Sequence, residues 1–374
     1  MRQEDKGTRR RGDKETRRQG DKGTSIASSP CLPLSPSPCL LVLLIALFVI
    51  LPLLRPGLPA TADTPIHFYR VLEFAQSWDW RMLYPRWAPD LAYGYGYPLW
   101  VFAPPLPYVI PLLLAALGAP LEIGLKGLII FAVLLYALGA YLFARHHLGW
   151  RAGLLAAALY TLAPFALREA LLYGGNYPQY LAIGLYPWVL WGISRIHRQA
   201  SWGNILLTAV LYGAVMLSHL FHVLILTPVA AGYALVELRI TNDELRITNI
   251  QKRSFVVHYS LFVIRNSSFI VPGLLLTAFF WIPAFFERSY TRSTDDIYLA
   301  VSPVTSRFLN WSELLAWPQP LDARAANPWV PFSLGIAALA LAVLGVLAII
   351  FNRQTSSRSQ TEFGNKPPHS PTPP

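Results

Sequence analysis

Long apolar segments separated by short polar ones run through most of the chain. The plainest are residues 41–54, 127–144, 153–167, 205–217, 220–235, 270–286 and 334–351. Their lengths approach the roughly 20 residues that an α-helix needs to cross a hydrocarbon layer. Charged residues make up only 14% of the chain, whereas a soluble domain has roughly 25%. We therefore predict an all-α polytopic membrane protein.

The positive charges predict how these segments cross the membrane. If the proline-rich residues 98–117 formed a span, the basic loops 145–151 and 195–198 would lie outside, against the positive-inside rule. If they do not cross, both loops lie inside together with the basic N-terminal tail. Each proline also removes a backbone donor and resists a regular helix. We therefore predict an interfacial helix at 98–117, about eight transmembrane helices and two cytoplasmic termini, in the inner (plasma) membrane.

This topology divides the chain into five regions. They are a basic and Pro-rich disordered tail (1–40), a membrane core (41–236) with an extracytoplasmic loop (55–122), a cytoplasmic insertion (237–269), C-terminal membrane helices (270–351) with an extracytoplasmic loop (287–331), and a disordered tail (352–374).

Two of these regions have the character of translated DNA repeats. In the N-terminal tail, an Asp-Lys pair recurs with a period of eight residues. A plausible coding of residues 242–249, reverse-complemented and shifted by one base, gives the octapeptide found at residues 262–269. The hypothesis is that both regions are genomic insertions. The alternative is an ordinary basic tail and a true pair of strands.

The net charge of +11 does not indicate a nucleic-acid partner. Much of the excess lies in the N-terminal tail and beside apolar segments, where positive charge sets topology. Both cysteines, Cys31 and Cys39, also lie in that tail and cannot cross-link the later loops. No glycine-rich nucleotide loop and no zinc-protease motif is present, so the sequence does not indicate ATP-driven chemistry.

The first outer loop carries the most informative polar residues. Asp63 is a suitable N-cap, and Pro65 suits a first helical turn. A helix beginning there places Asp63, His67 and Arg70 on one face. The carboxylate can serve as a general base towards a hydroxyl or bind a divalent cation, and the guanidinium can hold a phosphate. The alternative is a capped surface helix with an internal ion pair.

Further candidate binding residues lie in the first two outer loops. Arg86 and Asp90 belong to an aromatic, glycine-rich stretch that suits a sugar or polyprenyl platform, although pairing with each other is a simpler role. Arg168, Glu169 and Asn176 belong to the second outer loop. Charges close to membrane depth tend to be functional, but a plain interhelical turn also explains this loop.

His219 is the last candidate, and it lies near the outer end of two short apolar segments. His222 follows three residues later on the same helix face. Two histidines do not complete a zinc site, which needs three or four ligands. We therefore expect hydrogen bonding or contact with lipid headgroups at His219.

Four stretches of the chain are distinctive, namely DTPIHFYR, YPRWAPDLAYGYGYPLWVFAPPLPYV, LAPFALREALLYGGN and SHLFHVLILTP. They resemble a family of bacterial integral membrane proteins called 6-pyruvoyl-tetrahydropterin synthase-related. That family is in turn similar to the type C glycosyltransferases, which use polyprenyl-phosphate sugars. In those enzymes an aspartate of the first outer loop is a base or metal ligand, and Asp63 occupies the matching place. The resemblance also implies a role for Arg168 or Glu169.

The expected function is that of a glycosyltransferase-like membrane protein acting at the extracytoplasmic surface on a lipid-linked sugar. Asp63 and His67 would be catalytic, with Arg70 near the donor phosphate. The expected partners are the bilayer and a polyprenyl-phosphate sugar, and the cofactor to consider is a divalent cation on Asp63. The alternatives are a non-enzymatic lipid or polysaccharide transport or assembly protein, and a truncated inactive member of the family.

Overall fold

The computed structural model describes residues 36–79, 81–82, 84–247, 255–291, 309–317, 333–345 and 347. Within these ranges the regular secondary structure is helical, and the one β-type pairing is an isolated bridge between Ala88 and Tyr97. The predicted all-α class is therefore confirmed.

The helices follow the apolar pattern closely. In chain order they are α1 Pro36–Ile50, α2 Thr64–Ser77, α3 Leu99–Phe102, α4 Leu106–Ala116, α5 Leu121–Leu148, α6 Trp150–Thr161, α7 Pro164–Leu167, α8 Tyr177–Arg198, α9 Trp202–Ser218, α10 Leu220–Ile247, α11 Phe255–Leu276, α12 Ala278–Phe286, α13 Trp311–Leu314 and α14 Ile336–Gly345. A π-helical turn at Arg168–Leu172 follows α7.

Length and composition qualify two of the described helices as membrane spans, namely α5 and the part of α10 at Leu220–Leu238. Two bent pairs add up to two more: α6 with Pro164–Leu172, bent by 47°, and Ser267–Leu276 with α12, bent by 75°. The described ranges thus establish a polytopic helical protein. The count of about eight spans stays a prediction.

The proline-rich segment 98–117 is broken into two helices, α3 and α4. Pro104 and Pro105 stand at the break, where neither can supply a backbone donor. The longer piece, α4, has 11 residues and is therefore about 16 Å long, far short of a hydrocarbon layer of about 30 Å. This length is compatible with the predicted interfacial position and not with a straight span.

The two suspected insertions fall partly outside the described residues. Of the N-terminal tail, residues 1–35 lie outside, and α1 begins at Pro36, before the predicted boundary at residue 41. Proline is tolerated in a first helical turn, which explains the early start. The described part of 237–269 is helical, so the alternative of a strand pair is not found there. The tail at 352–374 also lies outside.

Glycines allow the central helices α5 and α8 to approach closely, as is common in membrane helix pairs. A Cβ on Gly184 of α8 would lie 2.8 Å from the Tyr136 ring of α5. That ring cannot move aside easily, because it stacks on Tyr180 at 4.5 Å and lies 4.9 Å from the Tyr160 ring. The contact therefore fixes the spacing of the two helices.

We predict that Gly184→Ala destabilises the protein by about 1–3 kcal/mol, because the added methyl group overpacks this contact. The matched control is Gly232→Ala in α10, where no atom lies within 4 Å of the new Cβ. That variant should be neutral or slightly stabilising, since alanine favours helix more than glycine. Thermal unfolding in detergent compares the two, and equal midpoints would contradict the prediction.

Candidate functional site

The start of α2 is bound to the second outer loop by backbone hydrogen bonds. The N–H of Ala62 donates to the carbonyl of Tyr173 at 2.8 Å, and the N–H of Asp63 donates to the carbonyl of Gly174 at 3.1 Å. These bonds position the first residue of the predicted site from a loop more than a hundred residues later in the chain.

Side-chain hydroxyls reinforce the same junction. Thr64 Oγ1 lies 2.5 Å from Thr61 Oγ1 and 2.5 Å from Tyr177 Oη, so three hydroxyls form a chain from the outer loop to the start of α8. Gly175 packs directly against them with a φ of +74°, and a Cβ there would lie 2.0 Å from Thr61 Oγ1. Only glycine satisfies both the backbone angle and the lack of space.

A cavity of about 990 Å³ opens beside this junction. Five of the residues singled out in the sequence line it, namely Asp63, His67, Arg70, Asn176 and His219. They come from α2, from the N-cap of α8 and from the turn between α9 and α10. The structure therefore brings together residues from three separate parts of the chain, and Asp63, His67 and Arg70 share one helix face as predicted.

Tyr108 joins His67 and Arg70 at the bottom of the cavity. Its hydroxyl lies 3.4 Å from His67 Nδ1 and accepts a hydrogen bond from Arg70 Nη1 at 3.4 Å. The Tyr108 ring is buried, packs edge-on against Trp100 at 4.8 Å and lies tilted against Phe74 at 5.9 Å. The aromatic packing thus holds the hydroxyl in place between the two polar side chains.

His67 and Arg70 differ in charge, although both are largely removed from solvent. Burial, followed by the neighbouring Arg70 charge, lowers the pKa of His67 to about 3, so its ring is neutral at physiological pH. Burial opposes the charge of Arg70 as well, but Tyr108 and Tyr97 outweigh it and raise the pKa of Arg70. Arg70 is therefore the cation that faces the cavity, and His67 offers a neutral donor and acceptor.

Asp63 occupies the N-cap position of α2, but its carboxylate does not cap the helix. Its backbone carbonyl accepts from the His67 N–H at 2.9 Å, whereas its side chain makes no capping hydrogen bond. Among the described residues no salt bridge joins it to Arg70. The capping role predicted for this side chain was wrong, and the half-buried carboxylate is left facing the cavity.

Arg86 and Asp90 do not line the cavity and do not pair with each other. Arg86 forms an ion pair with Glu287 at the end of α12. The backbone N–H of Asp90 donates to the buried carboxylate of Glu73 at 3.1 Å. Both residues thus connect the loop to helices, and the loop sequence alone gives no sign of these distant partners.

Arg168 lies buried in the π-helical turn and does not line the cavity either. Its guanidinium stands over the Tyr173 ring at 5.0 Å, and its carbonyl accepts from the N–H groups of Tyr173 and Gly174, both at 3.0 Å. It therefore shapes the turn that holds Asp63. The side chain of Glu169 is outside the described residues.

The sequence did not reveal the apolar wall of the cavity. It is formed by Phe102, Leu220, Phe221 and Leu224. Phe221 and Leu224 are 62% and 64% exposed, so the wall continues onto the outer surface of α10. The useful signal was their spacing along the helix that follows His219, because residues 220, 221 and 224 share a face.

The described residues contain no group of three or more histidine, cysteine, aspartate or glutamate side chains suited to a metal. Asp63 is the one carboxylate among the described residues of the lining. His219 stacks edge-on against His222 at 4.8 Å, and His222 Nδ1 is 2.8 Å from Tyr186 Oη. Within the described parts of the chain, Asp63 would therefore need ligands from outside the protein to complete a cation site.

Residues 100–359, well over half of the chain, match the family described as "6-pyruvoyl-tetrahydropterin synthase related domain; membrane protein". No curated protein and no solved structure matches the chain. The matched region contains Asn176, His219 and the apolar wall, whereas α2 with Asp63 precedes it.

We predict that Gly175→Ala loosens the junction between α2 and the second outer loop. Hydrogen exchange of the amides at residues 61–67 should rise and the unfolding temperature should fall, because the new methyl group displaces Thr61. Gly57→Ala is the matched control, since Gly57 has a similar φ of +81° and no atom within 4 Å of a Cβ. It carries only the backbone strain of an L-residue in the left-handed region, about 1–2 kcal/mol. Equal effects of the two substitutions would contradict the steric role of Gly175.

We also predict that His67 makes the protein less stable in acid. The unfolded side chain binds a proton near pH 6.5, but the folded one does so only near pH 3. Between these values the unfolded state binds more protons, so stability falls as the pH drops below about 6.5. The unfolding midpoint should therefore fall less between pH 7.5 and pH 5 in His67→Gln than in the wild type. An identical fall in both proteins would show that His67 is not held neutral.

Proposed function

This chain belongs to the 6-pyruvoyl-tetrahydropterin synthase-related family of membrane proteins, and from that premise we propose that it is glycosyltransferase-like and acts on a lipid-linked sugar at the extracytoplasmic membrane surface. Its apolar helices contact the lipid bilayer. The observation that carries the proposal is the division of the cavity into a polar part around Asp63 and Arg70 and an apolar wall on α10.

The size and surroundings of the cavity suit an amphipathic ligand. Its volume of about 990 Å³ is at the upper end of the range of roughly 300–1,000 Å³ for small-molecule sites. Phe221 and Leu224 extend its wall to the exposed surface of α10, where lipid chains would lie. A lipid-linked donor can therefore place its chain against α10 and its phosphate near Arg70 without leaving the bilayer.

The polar groups match the requirements of glycosyl transfer. An acceptor hydroxyl loses its proton to the Asp63 carboxylate as its oxygen attacks the anomeric carbon. The bond between that carbon and the phosphate oxygen breaks, and the phosphate leaves with the electron pair. Arg70 stabilises the departing phosphate through its planar, permanently charged guanidinium. Each of the two residues lines the cavity, so both can reach one bound molecule.

His67 assists as a neutral hydrogen-bonding group. Its Nδ1 faces the Tyr108 hydroxyl, which leaves the other ring nitrogen to contact a sugar hydroxyl. Asn176 is already engaged as the N-cap of α8, where its side chain accepts from the Gln179 N–H at 3.2 Å. Asp63 would be the residue that holds a divalent cation, which would supply positive charge to stabilise the leaving phosphate.

The apolar wall favours a second candidate, a non-enzymatic transport or assembly protein that binds a lipid-linked glycan in the same cavity. That function requires Arg70 to hold the phosphate but does not require Asp63 to accept a proton. The two candidates therefore differ in what a neutral replacement of Asp63 does.

The test is complementation in cells that lack the gene, followed by profiling of envelope glycans and glycolipids. Deletion should remove at least one glycosylated species, and Arg70→Gln should fail to restore it. Asp63→Asn should reduce its formation by about 10²–10⁴-fold, the usual contribution of a general base. Asp90→Asn is the matched control, because Asp90 is in the same loop but outside the cavity lining, and it should restore the profile.

Each outcome separates the candidates. Restoration by Asp63→Asn but not by Arg70→Gln would favour binding without chemistry. An unchanged profile after deletion of the gene would overturn the glycosyltransferase proposal. Protein levels in the membrane are measured for every variant, so that loss of folding is not mistaken for loss of activity.

A further inference from the structure

A row of aromatic and basic side chains runs along one face of α8. Its members are three or four residues apart and therefore share one side of the helix; they are Trp188, Trp191, Arg195 and Arg198. The Trp191 ring packs edge-on against the Trp188 ring at 6.1 Å. The Arg195 guanidinium lies over the Trp191 ring at 4.7 Å. Two half-buried tryptophans thus lead along α8 to a pair of guanidinium groups.

The neighbouring helix α5 forms the other side of a groove along this row. Trp188 Nε1 donates to the Leu135 carbonyl at 2.9 Å, and a Cβ on Gly139 would lie 2.5 Å from the Trp188 ring. His146 lies two turns beyond Gly139 on the same face of α5, and the charges of both arginines act on it. The groove between α5 and α8 therefore has tryptophan along its length and two guanidinium groups at its end.

The basic end of the groove is about one membrane thickness away from the cavity. Arg195 is 19 residues beyond Asn176 of the cavity lining, which is about 28 Å along a helix. A hydrocarbon layer is about 30 Å thick, and α5 is long and apolar enough to cross one. Lipid phosphates of the opposite leaflet lie at this depth. Trp188, seven residues earlier on α8, lies about 10 Å deeper, where acyl chains lie.

Neither guanidinium group of the groove forms a salt bridge within the described ranges. The Glu237 carboxylate lies at the same end of the bundle, but it accepts from the hydroxyls of Tyr233 and Ser194 and lies 3.4 Å from His147 Nε2. Arginine keeps its charge under all physiological conditions. Two permanent positive charges on one helix face are therefore available to an anion from outside the protein.

The groove combines the two features that an anionic phospholipid requires. The planar guanidinium group matches the oxygens of a phosphate, and basic pockets between membrane helices bind anionic headgroups. Tryptophan suits the boundary between headgroups and acyl chains because its ring is amphipathic. A soluble anion would use only the arginines, whereas a lipid uses the tryptophans as well.

We propose that the groove between α5 and α8 binds an anionic phospholipid in the leaflet opposite the cavity. Arg195 and Arg198 hold the phosphate, and an acyl chain lies along Trp191 and Trp188. This site is separate from the cavity and does not depend on the proposed glycosyl transfer.

The test is native mass spectrometry of the full chain in a neutral detergent, with phosphatidylglycerol and phosphatidylcholine of the same acyl chains added in equal amounts. The wild type should bind phosphatidylglycerol on the order of tenfold more than phosphatidylcholine, because each arginine near an anionic headgroup adds to the affinity. The double substitution Arg195→Gln and Arg198→Gln should remove this preference. Glycerol 1-phosphate should not displace the bound lipid, because it has no acyl chain to contact the tryptophans.

Arg288→Gln is the matched control. Its guanidinium also lies 4.7 Å over an aromatic ring, that of Phe285, but at the end of α12, so this variant should keep the wild-type preference. Equal binding of the two lipids by the wild type would overturn the proposal even if the double variant does not fold, and would mean that these charges serve only to orient the helices during insertion. Full preference in the folded double variant, its loss in Arg288→Gln, or displacement by glycerol 1-phosphate would also overturn it.

Discussion

The candidate site depends on one contact, the junction between the start of α2 and the loop that precedes α8. Backbone bonds at Ala62 and Asp63 and the hydroxyl chain through Thr64 and Tyr177 fix the helix there. The contact is possible only because Gly175 presents no side chain. Without it, Asp63 would sit on a surface loop with no defined relation to Asn176 or to the other lining residues.

Aromatic burial then decides how the polar groups behave. The packing of Tyr108 against Trp100 and Phe74 removes water from around His67, which stays neutral, while Arg70 keeps its charge through the nearby tyrosines. The site combines the cation of Arg70, the carboxylate of Asp63 and the neutral imidazole of His67. Such a set of groups can distinguish an anionic headgroup from a neutral one. In the proposed function, the apolar wall on α10 would add selection for the lipid chain.

Local pattern was enough to predict the helical class and the shared face of Asp63, His67 and Arg70, because both depend on helix periodicity alone. The prolines of residues 98–117 led to the prediction of one interfacial helix, whereas the structure divides this segment into α3 and α4. Pattern could not predict contacts between distant segments. In the sequence, Tyr108 resembles any other aromatic residue of an interfacial belt. Its role becomes visible only in the fold, where α4 packs against α2 and its hydroxyl contacts Arg70 and His67. Glu237 was assigned to an insertion, yet its contacts with Ser194 belong to the membrane core.

The ion pair between Arg86 and Glu287 joins residues 201 positions apart in the chain, and the Tyr84 hydroxyl donates to the carbonyl of Phe279 in the same region. Folding during synthesis proceeds from the N-terminus. The loop that contains Tyr84 and Arg86 is therefore synthesised long before α12, and during that time its partners Phe279 and Glu287 are absent. The cavity therefore stays incomplete until α12 has been synthesised. A chain interrupted before residue 287 would contain Asp63 and Arg70, but it would lack the Glu287 side chain that pairs with Arg86 in the loop before α4.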